Sequence, residues 1–320
     1  MWWQIALLIV GFILLIKGAD IFVDGASSTA ANFKVSKMLI GLTIIAFGTS
    51  APEFAVSMQA LASGSTDIVL GNVIGSNIIN ILLILGLAAL VKPIKVRANT
   101  IRKELPICLL ISVLLVVLFL DIQISGRSEN LITRSDGVAI ILFFLVFLYY
   151  LIALAHKKKS ERKAEKAKFK LSVSLLLVLV GIVGVIIGSQ MIVNSATIIA
   201  TNLGVPERVI ALTIIAFGTS LPELVTTVTA ARKGEADLAV GNIIGSNIFN
   251  ICIVLGVPVA IFGTVTPGSF QMVDLVMLVV SAIVLFIFAR TQKKISRREG
   301  ILMLIAFAAY YAVVIIGMNT

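Results

Sequence analysis

LTIIAFGTSAPE at residues 42–53 returns as LTIIAFGTSLPE at residues 212–223, with one difference in twelve positions. Downstream, GNVIGSNIINI (71–81) returns as GNIIGSNIFNI (241–251). The offset is 170 residues in both cases, so Glu53 to Asn80 and Glu223 to Asn250 each span 27 residues. The chain around these blocks is overwhelmingly apolar, yet the blocks themselves collect Gly, Ser, Thr, Asn, Pro and Glu. A duplicated apolar fold that keeps its polar residues in matching places builds one site from two halves.

Composition sets the class. Hydrophobic residues make up 59% of the chain and charged residues only 13%, with a mean hydropathy of +1.11. A soluble domain carries about 25% charged residues. Apolar runs near the length needed to cross a hydrocarbon core of about 30 Å recur at 4–24, 36–62, 67–91, 104–121, 135–155, 171–191, 206–231, 237–262, 272–290 and 299–317. The expected fold is an all-α polytopic membrane protein with ten transmembrane helices. The first run has no basic flank, and its internal counterpart Leu177–Val193 keeps Gly11/Gly181 and Gly18/Gly188 in register, so it is a retained fold element rather than a signal peptide. Cys108 and Cys252 fall inside spans and are read as small apolar core residues, not a disulfide or metal pair.

The net charge of +10 follows topology rather than nucleic-acid binding. If loops alternate between the two sides, one side holds 22 of the 26 Lys and Arg: Lys34, Lys37, the groups 92–103, 157–170 and 290–298, and Arg232 with Lys233. Arg127, Arg134 and Arg208 fall opposite, and Lys17 lies within the first span. This is the positive-inside pattern. It places both termini outside and the stretch HKKKSERKAEKAKFK (156–170) in the cytoplasm. That stretch is read as a solvated connector in preference to a lipid-binding or calmodulin-type patch, with His156 an ordinary interfacial residue at its edge.

Five runs precede the connector and five follow. Residues 1–155 therefore form a first five-helix repeat and residues 171–320 a second, entering the membrane from the opposite side because five is odd. Inverted repeats of this kind hold their site at the repeat interface. From a span start near Val35, Ser50 lies about 22 Å along a helix; from the other side, starting at Asp67, Asn80 lies about 20 Å along. Both reach a common middle level.

Pro52 and Pro222 remove a donor and displace the carbonyl four residues back, at Gly48 or Gly218. The neighbouring carbonyls of Ala46, Phe47, Ala216 and Phe217 are expected to be partly freed, which is tolerated at membrane depth only beside a cavity or another partner. Glu53 and Glu223 follow one turn on. A carboxylate at that depth costs on the order of 2.5–3.5 kcal/mol, and no Lys or Arg lies near it in these spans. The missing counter-charge is a bound ion or a proton. Ser76, Asn77 and Asn80, with Ser246, Asn247 and Asn250, complete an all-oxygen set that suits hard cations such as Ca²⁺ and Na⁺ and not soft metals. Gly71, Gly75, Gly241 and Gly245 form small-xxx-small surfaces for close helix approach.

Interhelical glue is the bland alternative, and a buried Glu in each matched block weighs against it. For Asn72 and Asn242, structural bonding and site roles stand level. Asp67 and Asp237 sit at span starts, where Asp suits a helix N-terminus. No His or Lys at depth can activate Ser50 or Ser220, so an enzyme is not expected.

At these residues the chain resembles the cation/Ca²⁺ exchanger superfamily, in particular its prokaryotic Na⁺/Ca²⁺ exchanger-like members. The GTSxPE and GNxIGSNIxN blocks look like that family's two α-repeats, where the related Ca²⁺/H⁺ branch carries GNAxE. The resemblance implies ten helices in antiparallel halves around adjacent mid-membrane ion sites. It implies Glu53 and Glu223 as central carboxylate ligands, and Asn80 and Asn250 as side-chain oxygen ligands or water-holding partners. Ser50, Ser76, Ser220, Ser246, the hydroxyls of Thr49 and Thr219, and the carbonyls of Ala46 and Ala216 would complete the Na⁺ sites, while spans one and six slide to alternate access. Several members carry Asp at the position of Asn250 or of Asn80, whereas this chain has amides at both. Two carboxylates then balance one Ca²⁺ and leave a single positive charge with three Na⁺.

The implied activity is antiport of Ca²⁺ against Na⁺ across a prokaryotic inner membrane. The alternatives are Ca²⁺/H⁺ exchange through the same glutamates and, from another class, a non-transporting scaffold whose stability ignores cations. No cofactor, nucleic acid or obligate protein partner is expected; the partners are the bilayer, Ca²⁺ and Na⁺, with H⁺ or K⁺ as further ions.

Overall fold

Backbone N–H and C=O groups in hydrocarbon must find partners within their own segment, so the long apolar runs fold as helices. The computed structural model describes residues 2–120, 122, 130–157, 167–204, 216–266 and 272–317. In chain order these hold α1 (Trp2–Phe33), α2 (Lys37–Thr49), α3 (Ala51–Ala62), α4 (Thr66–Val91), β1 (Ile94–Lys95), α5 (Glu104–Leu118), α6 (Arg134–Lys157), α7 (Leu171–Asn202), α8 (Leu221–Lys233), α9 (Ala236–Phe262), α10 (Met272–Gln292), β2 (Lys294–Ile295) and α11 (Arg297–Gly317). Among the described residues α1, α4, α6, α7, α9 and α10 are each long and apolar enough to cross a membrane, and the pair α2–α3, bent by 46° at Ser50, makes a seventh. The chain is a helical, polytopic membrane protein. Arg127, Arg208, residues 158–166 of the connector, residues 206–215 of the seventh apolar run and the His156 side chain lie outside the described residues.

Two expectations shift. α1 continues to Phe33 and α7 to Asn202, well past the ends of their apolar runs at 24 and 191. The extra turns of α1 are rich in small and polar residues, and tertiary bonds support them: Asn32 Nδ2 donates to Phe169 O (2.9 Å) and Ser174 Oγ (3.1 Å), and Ser28 Oγ accepts from Phe169 N–H (3.0 Å). The fold is also not wholly helical. β1 pairs antiparallel with β2, joining Ile94 to Ile295 and Lys95 to Lys294, and Ile132 bridges Val265.

α1 and α7 lie against each other antiparallel. Gly11 meets Gly188 and Ile192, Gly18 meets Gly184 and Val185, and Gly25 meets Leu177 and Val178. A Cβ on Gly18 would sit 2.8 Å from Val185 N, so only glycine permits this backbone approach. α2 packs on α9 through glycines as well, but running parallel to it, with Gly41 on Gly241, and Gly245 against Leu42 and Ala46. Residues 211–215, which repeat 41–45, lie outside the described residues.

α4 and α9 form the buried centre, while α1, α6 and α7 carry the apolar rim. Cys108 and Cys252 are free thiols packed in that centre. Tyr150 Oη donates to Glu104 at the start of α5, and Tyr310 Oη donates to Asp274 at the start of α10 (2.8 Å). Those carboxylates are again 170 residues apart. One end of α1 is tied down by charge: Asp20 pairs with Arg232 and Lys233, Asp24 with Lys168 and Lys233, and beside them Lys37 pairs with Glu235. The positions 170 residues on from Asp20 and Asp24 are Gln190 and Asn194, so this cluster is not duplicated.

Candidate functional site

Each repeated block begins with a hinge. Ser50 has φ −85°, ψ 8° and Ser220 has φ −88°, ψ 4°, the sparsely populated bridge region between helix and strand. Ser50 N–H donates back to Ala46 O (3.0 Å) while Ser50 O accepts forward from Phe54 N–H (3.1 Å). Ser220 O likewise accepts from Leu224 N–H (3.0 Å). One serine thus ends one helix and starts the next. This corrects the expectation that proline frees the Ala46 carbonyl. The last bond of α2 survives because the break begins at Ser50 itself, and Thr49 Oγ1 approaches the same carbonyl at 3.4 Å. One lone pair is still available on Ala46 O. In the other half the displaced carbonyl of Gly218 is capped by Ser189 Oγ from α7 (2.9 Å).

Sequence reasoning passed over Ser189; the signal available was a serine inside an apolar helix where the matching residue, Ala19, is apolar. Ser189→Ala is expected to cost about 1–3 kcal/mol by leaving Gly218 O unpartnered, read from detergent unfolding titrations.

Glu53 and Glu223 stand in the first turn of α3 and α8, each only 1% exposed. Ser50 Oγ donates to Glu223 Oε1 (2.9 Å), a bond from one repeated block to the other. Glu53 lies within electrostatic reach of Glu223. Ser220 Oγ lies 3.5 Å from Ser76 Oγ. Both Glu53 carboxylate oxygens, Glu223 Oε2, Asn80 Oδ1, Asn250 Oδ1 and Ser246 Oγ are buried with no protein hydrogen-bond partner. Buried polar atoms are almost always bonded, so six such oxygens on the repeated blocks call for a partner that the protein itself does not supply. Among the described residues no Lys or Arg pairs with either glutamate, and no group of three His, Cys, Asp or Glu assembles. A cation here would take two carboxylates together with amide and hydroxyl oxygens, the donor chemistry of Ca²⁺ and Na⁺ rather than of zinc.

The asparagines come from the middle of α4 and α9, where the helices loosen into π-helical turns over Ile79–Leu85 and Asn250–Leu255. Such turns frequently occur at functional sites, and nothing in the local composition announces them. Asn80 Nδ2 donates to Asn247 Oδ1 (3.0 Å) and Asn250 Nδ2 to Asn77 Oδ1 (3.3 Å). Asn77 Nδ2 donates to Asn247 O and Asn247 Nδ2 to Asn77 O, both at 3.3 Å.

Asn72 and Asn242 are taken up by bonds. Asn72 Nδ2 donates to Glu53 O and Ser57 Oγ (both 2.9 Å), tying α4 to the glutamate-bearing turn. Asn242 Nδ2 donates to Thr227 Oγ1 (2.9 Å), and its Oδ1 accepts from Thr49 Oγ1 (3.2 Å). Ser57 and Thr227 escaped the sequence reading although they too are 170 apart. Asp237 pairs with Arg97 at the start of α9. Thr49, Ser50, Ser76, Ser220 and Ser246 are buried with the glutamates and Asn80 and Asn250. Thr219 is half-buried, and Ala216 opens the short turn Ala216–Gly218 with its side chain outside the described residues.

The sequence profile of the sodium/calcium exchanger protein family matches residues 3–153 and 173–316. The chain is 38% identical over 317 residues to the inner membrane protein YrbG of Escherichia coli, covering 96% of this chain and 95% of that protein. It is 32% identical over 341 residues to the sodium/calcium exchanger MaX1 of Methanosarcina acetivorans, covering 96% and 97%. A solved structure of the sodium-calcium exchanger NCX_Mj, soaked with Na⁺ and Sr²⁺, superposes with a TM-score of 0.84 at 34% identity over 97% of each chain. A profile match over most of the chain, with near full-length relatives, shows that the chain belongs to the sodium/calcium exchanger family of membrane transporters.

Proposed function

We propose that the chain is a secondary active antiporter exchanging Ca²⁺ for Na⁺ across the inner (plasma) membrane by alternating access. The observation that carries this reading is the set of buried, unpartnered oxygens on Glu53, Glu223, Asn80, Asn250 and Ser246. Glu53 and Glu223 serve as shared central ligands. Asn80, Asn250 and the hydroxyls of Ser50, Ser76, Ser220, Ser246, Thr49 and Thr219 surround them with the carbonyls of Ala46 and Ala216. Two carboxylates neutralise one Ca²⁺, and the same oxygens cannot serve Na⁺ at the same time. An unloaded pair of buried carboxylates resists crossing the apolar core, so a loaded site in each direction is what couples the two fluxes.

The architecture that goes with this function has ten spans, with residues 1–155 and 171–320 as inverted five-helix repeats joined by a cytoplasmic connector at 156–170. The 170-residue offset, the antiparallel α1–α7 pair and the split of the family match at residues 153 and 173 support it. Both termini face outward on the charge asymmetry. α1 and α7 slide together against the other helices to expose the site alternately. The names of YrbG, MaX1 and NCX_Mj agree with the membrane and the ions.

The test is ⁴⁵Ca²⁺ uptake into proteoliposomes loaded with Na⁺ and diluted into Na⁺-free buffer at clamped pH. Uptake that disappears when choline replaces internal Na⁺ is the expected result. Uptake indifferent to Na⁺ but driven by an imposed pH gradient would replace this reading with Ca²⁺/H⁺ exchange through the same glutamates.

A further inference from the structure

An amide is an ambiguous ligand: its oxygen can bind a cation, its nitrogen repels one, and the two ends are nearly the same shape. At Asn80 and Asn250 something must decide which end faces the site. We propose that Asn77 and Asn247 are positioning residues that make this choice, each fixing the amide of the other half. The proposal rests on the reading of Asn80 and Asn250 as ligands.

The decision starts at a group that has no choice. A backbone carbonyl can only accept, so the atom Asn247 presents to Asn77 O, 3.3 Å away, must be Nδ2. That turns Asn247 Oδ1 to the opposite side, where it meets the Asn80 amide at 3.0 Å. Facing an acceptor, Asn80 must offer Nδ2. Its Oδ1 is thereby turned away from the relay, and it is one of the buried oxygens without a protein partner. The second half repeats the logic: Asn247 O receives Asn77 Nδ2, Asn77 Oδ1 receives Asn250 Nδ2, and Asn250 Oδ1 is left unpartnered. Flipping any one of the four amides would set oxygen against oxygen or nitrogen against nitrogen in a buried site, where an unmade bond is expensive. Asn77 and Asn247 each commit one lone pair of Oδ1 to this relay, whereas Asn80 Oδ1 and Asn250 Oδ1 are left with both. The relay matters in this chain because both ligand positions hold amides; a carboxylate offers oxygen at either end and needs no such control.

The pairing makes a specific forecast, because each relay residue acts on a ligand it does not share a helix with. Uptake of ⁴⁵Ca²⁺ is measured for Asn247→Ala, Asn77→Ala, Asn80→Ala and the doubles N80A/N247A and N80A/N77A. Asn247→Ala is expected to raise the Ca²⁺ KM about tenfold with little change in maximal rate, and to have no further effect once Asn80 is alanine. Asn77→Ala, acting through Asn250, is expected to keep its full effect in the N80A background. Equal effects of Asn247→Ala with and without Asn80 would overturn the relay and leave packing as the role. If alanine leaves too large a cavity, Asn247→Leu, close in volume, runs the same cycle. Failure of both to fold, in either background, makes Asn247 a folding residue and also overturns the proposal. An unchanged KM in Asn80→Ala alone would instead sink the ligand assignment on which the relay stands.

Discussion

Glu53→Gln is expected to reduce Ca²⁺ flux by at least about 100-fold, a loss near 2.7 kcal/mol of cation binding, without unfolding the protein. Glutamine keeps the shape of the side chain but removes one of two negative charges around the site. Ca²⁺ would then bring an uncompensated positive charge into a buried position, and the pair could no longer balance it. Stability should move the other way. Both Glu53 oxygens are buried without a partner, so in cation-free buffer the neutral side chain is expected to melt at the same temperature as the wild type or higher. Glu223→Gln should show the same loss of flux with a smaller gain, because Glu223 Oε1 already accepts from Ser50 Oγ. The measurement is paired: ⁴⁵Ca²⁺ uptake, and thermal melting with and without Ca²⁺. A wild type stabilised by Ca²⁺ beside variants that are not is the expected pattern, since a ligand that binds the folded state in preference to the unfolded one raises its melting temperature. Full uptake in Glu53→Gln would remove this residue from the site.

Gly181→Ala is expected to cost about 3 kcal/mol, at the upper end of what an overpacked methyl group incurs. A Cβ there would lie 2.5 Å from Phe22 N and 2.6 Å from Phe22 Cα. Those are backbone atoms and cannot swing aside, so α1 and α7 must separate along their length. Alanine in a helix interior gains about 1 kcal/mol over glycine, and the steric cost outweighs that gain. Gly184→Ala is the matched control. Its Cβ would meet Gly18 Cα at 3.3 Å and Leu14 O at 3.6 Å, a slight squeeze that the gain in helix propensity offsets, so the variant should be about as stable as wild type. Detergent melting curves of the two variants check the forecast. Similar losses at both positions would mean that the antiparallel glycine register is wrong.

The residues of the candidate site were legible in the chain to a considerable degree, in that the structure buries them together. Buried Glu, Ser and Asn residues are anomalous in an apolar background, and a 170-residue repeat tells which anomalies belong together. What escaped were partners whose meaning depends on another helix. Ser189 looks like an incidental serine until Gly218 O is found 2.9 Å away. Ser57 and Thr227 look like ordinary helical hydroxyls until Asn72 and Asn242 reach them. The Ala46 carbonyl shows the opposite error: proline rules predicted a freed group, and the hinge at Ser50 kept its bond.

By itself, the sequence determined the membrane class, the duplicated blocks and the oxygen-only character of the candidate ligands. These follow from hydropathy, residue type and spacing, all of which are properties of the chain before it folds. Only the tertiary structure decided how far α1 and α7 extend, where the helices loosen into π-turns, and which end of the Asn80 and Asn250 amides is bonded. Those outcomes depend on which groups meet across helices far apart in the chain. Asn80 and Asn247 are 167 residues apart, and no local pattern records that their amides will meet.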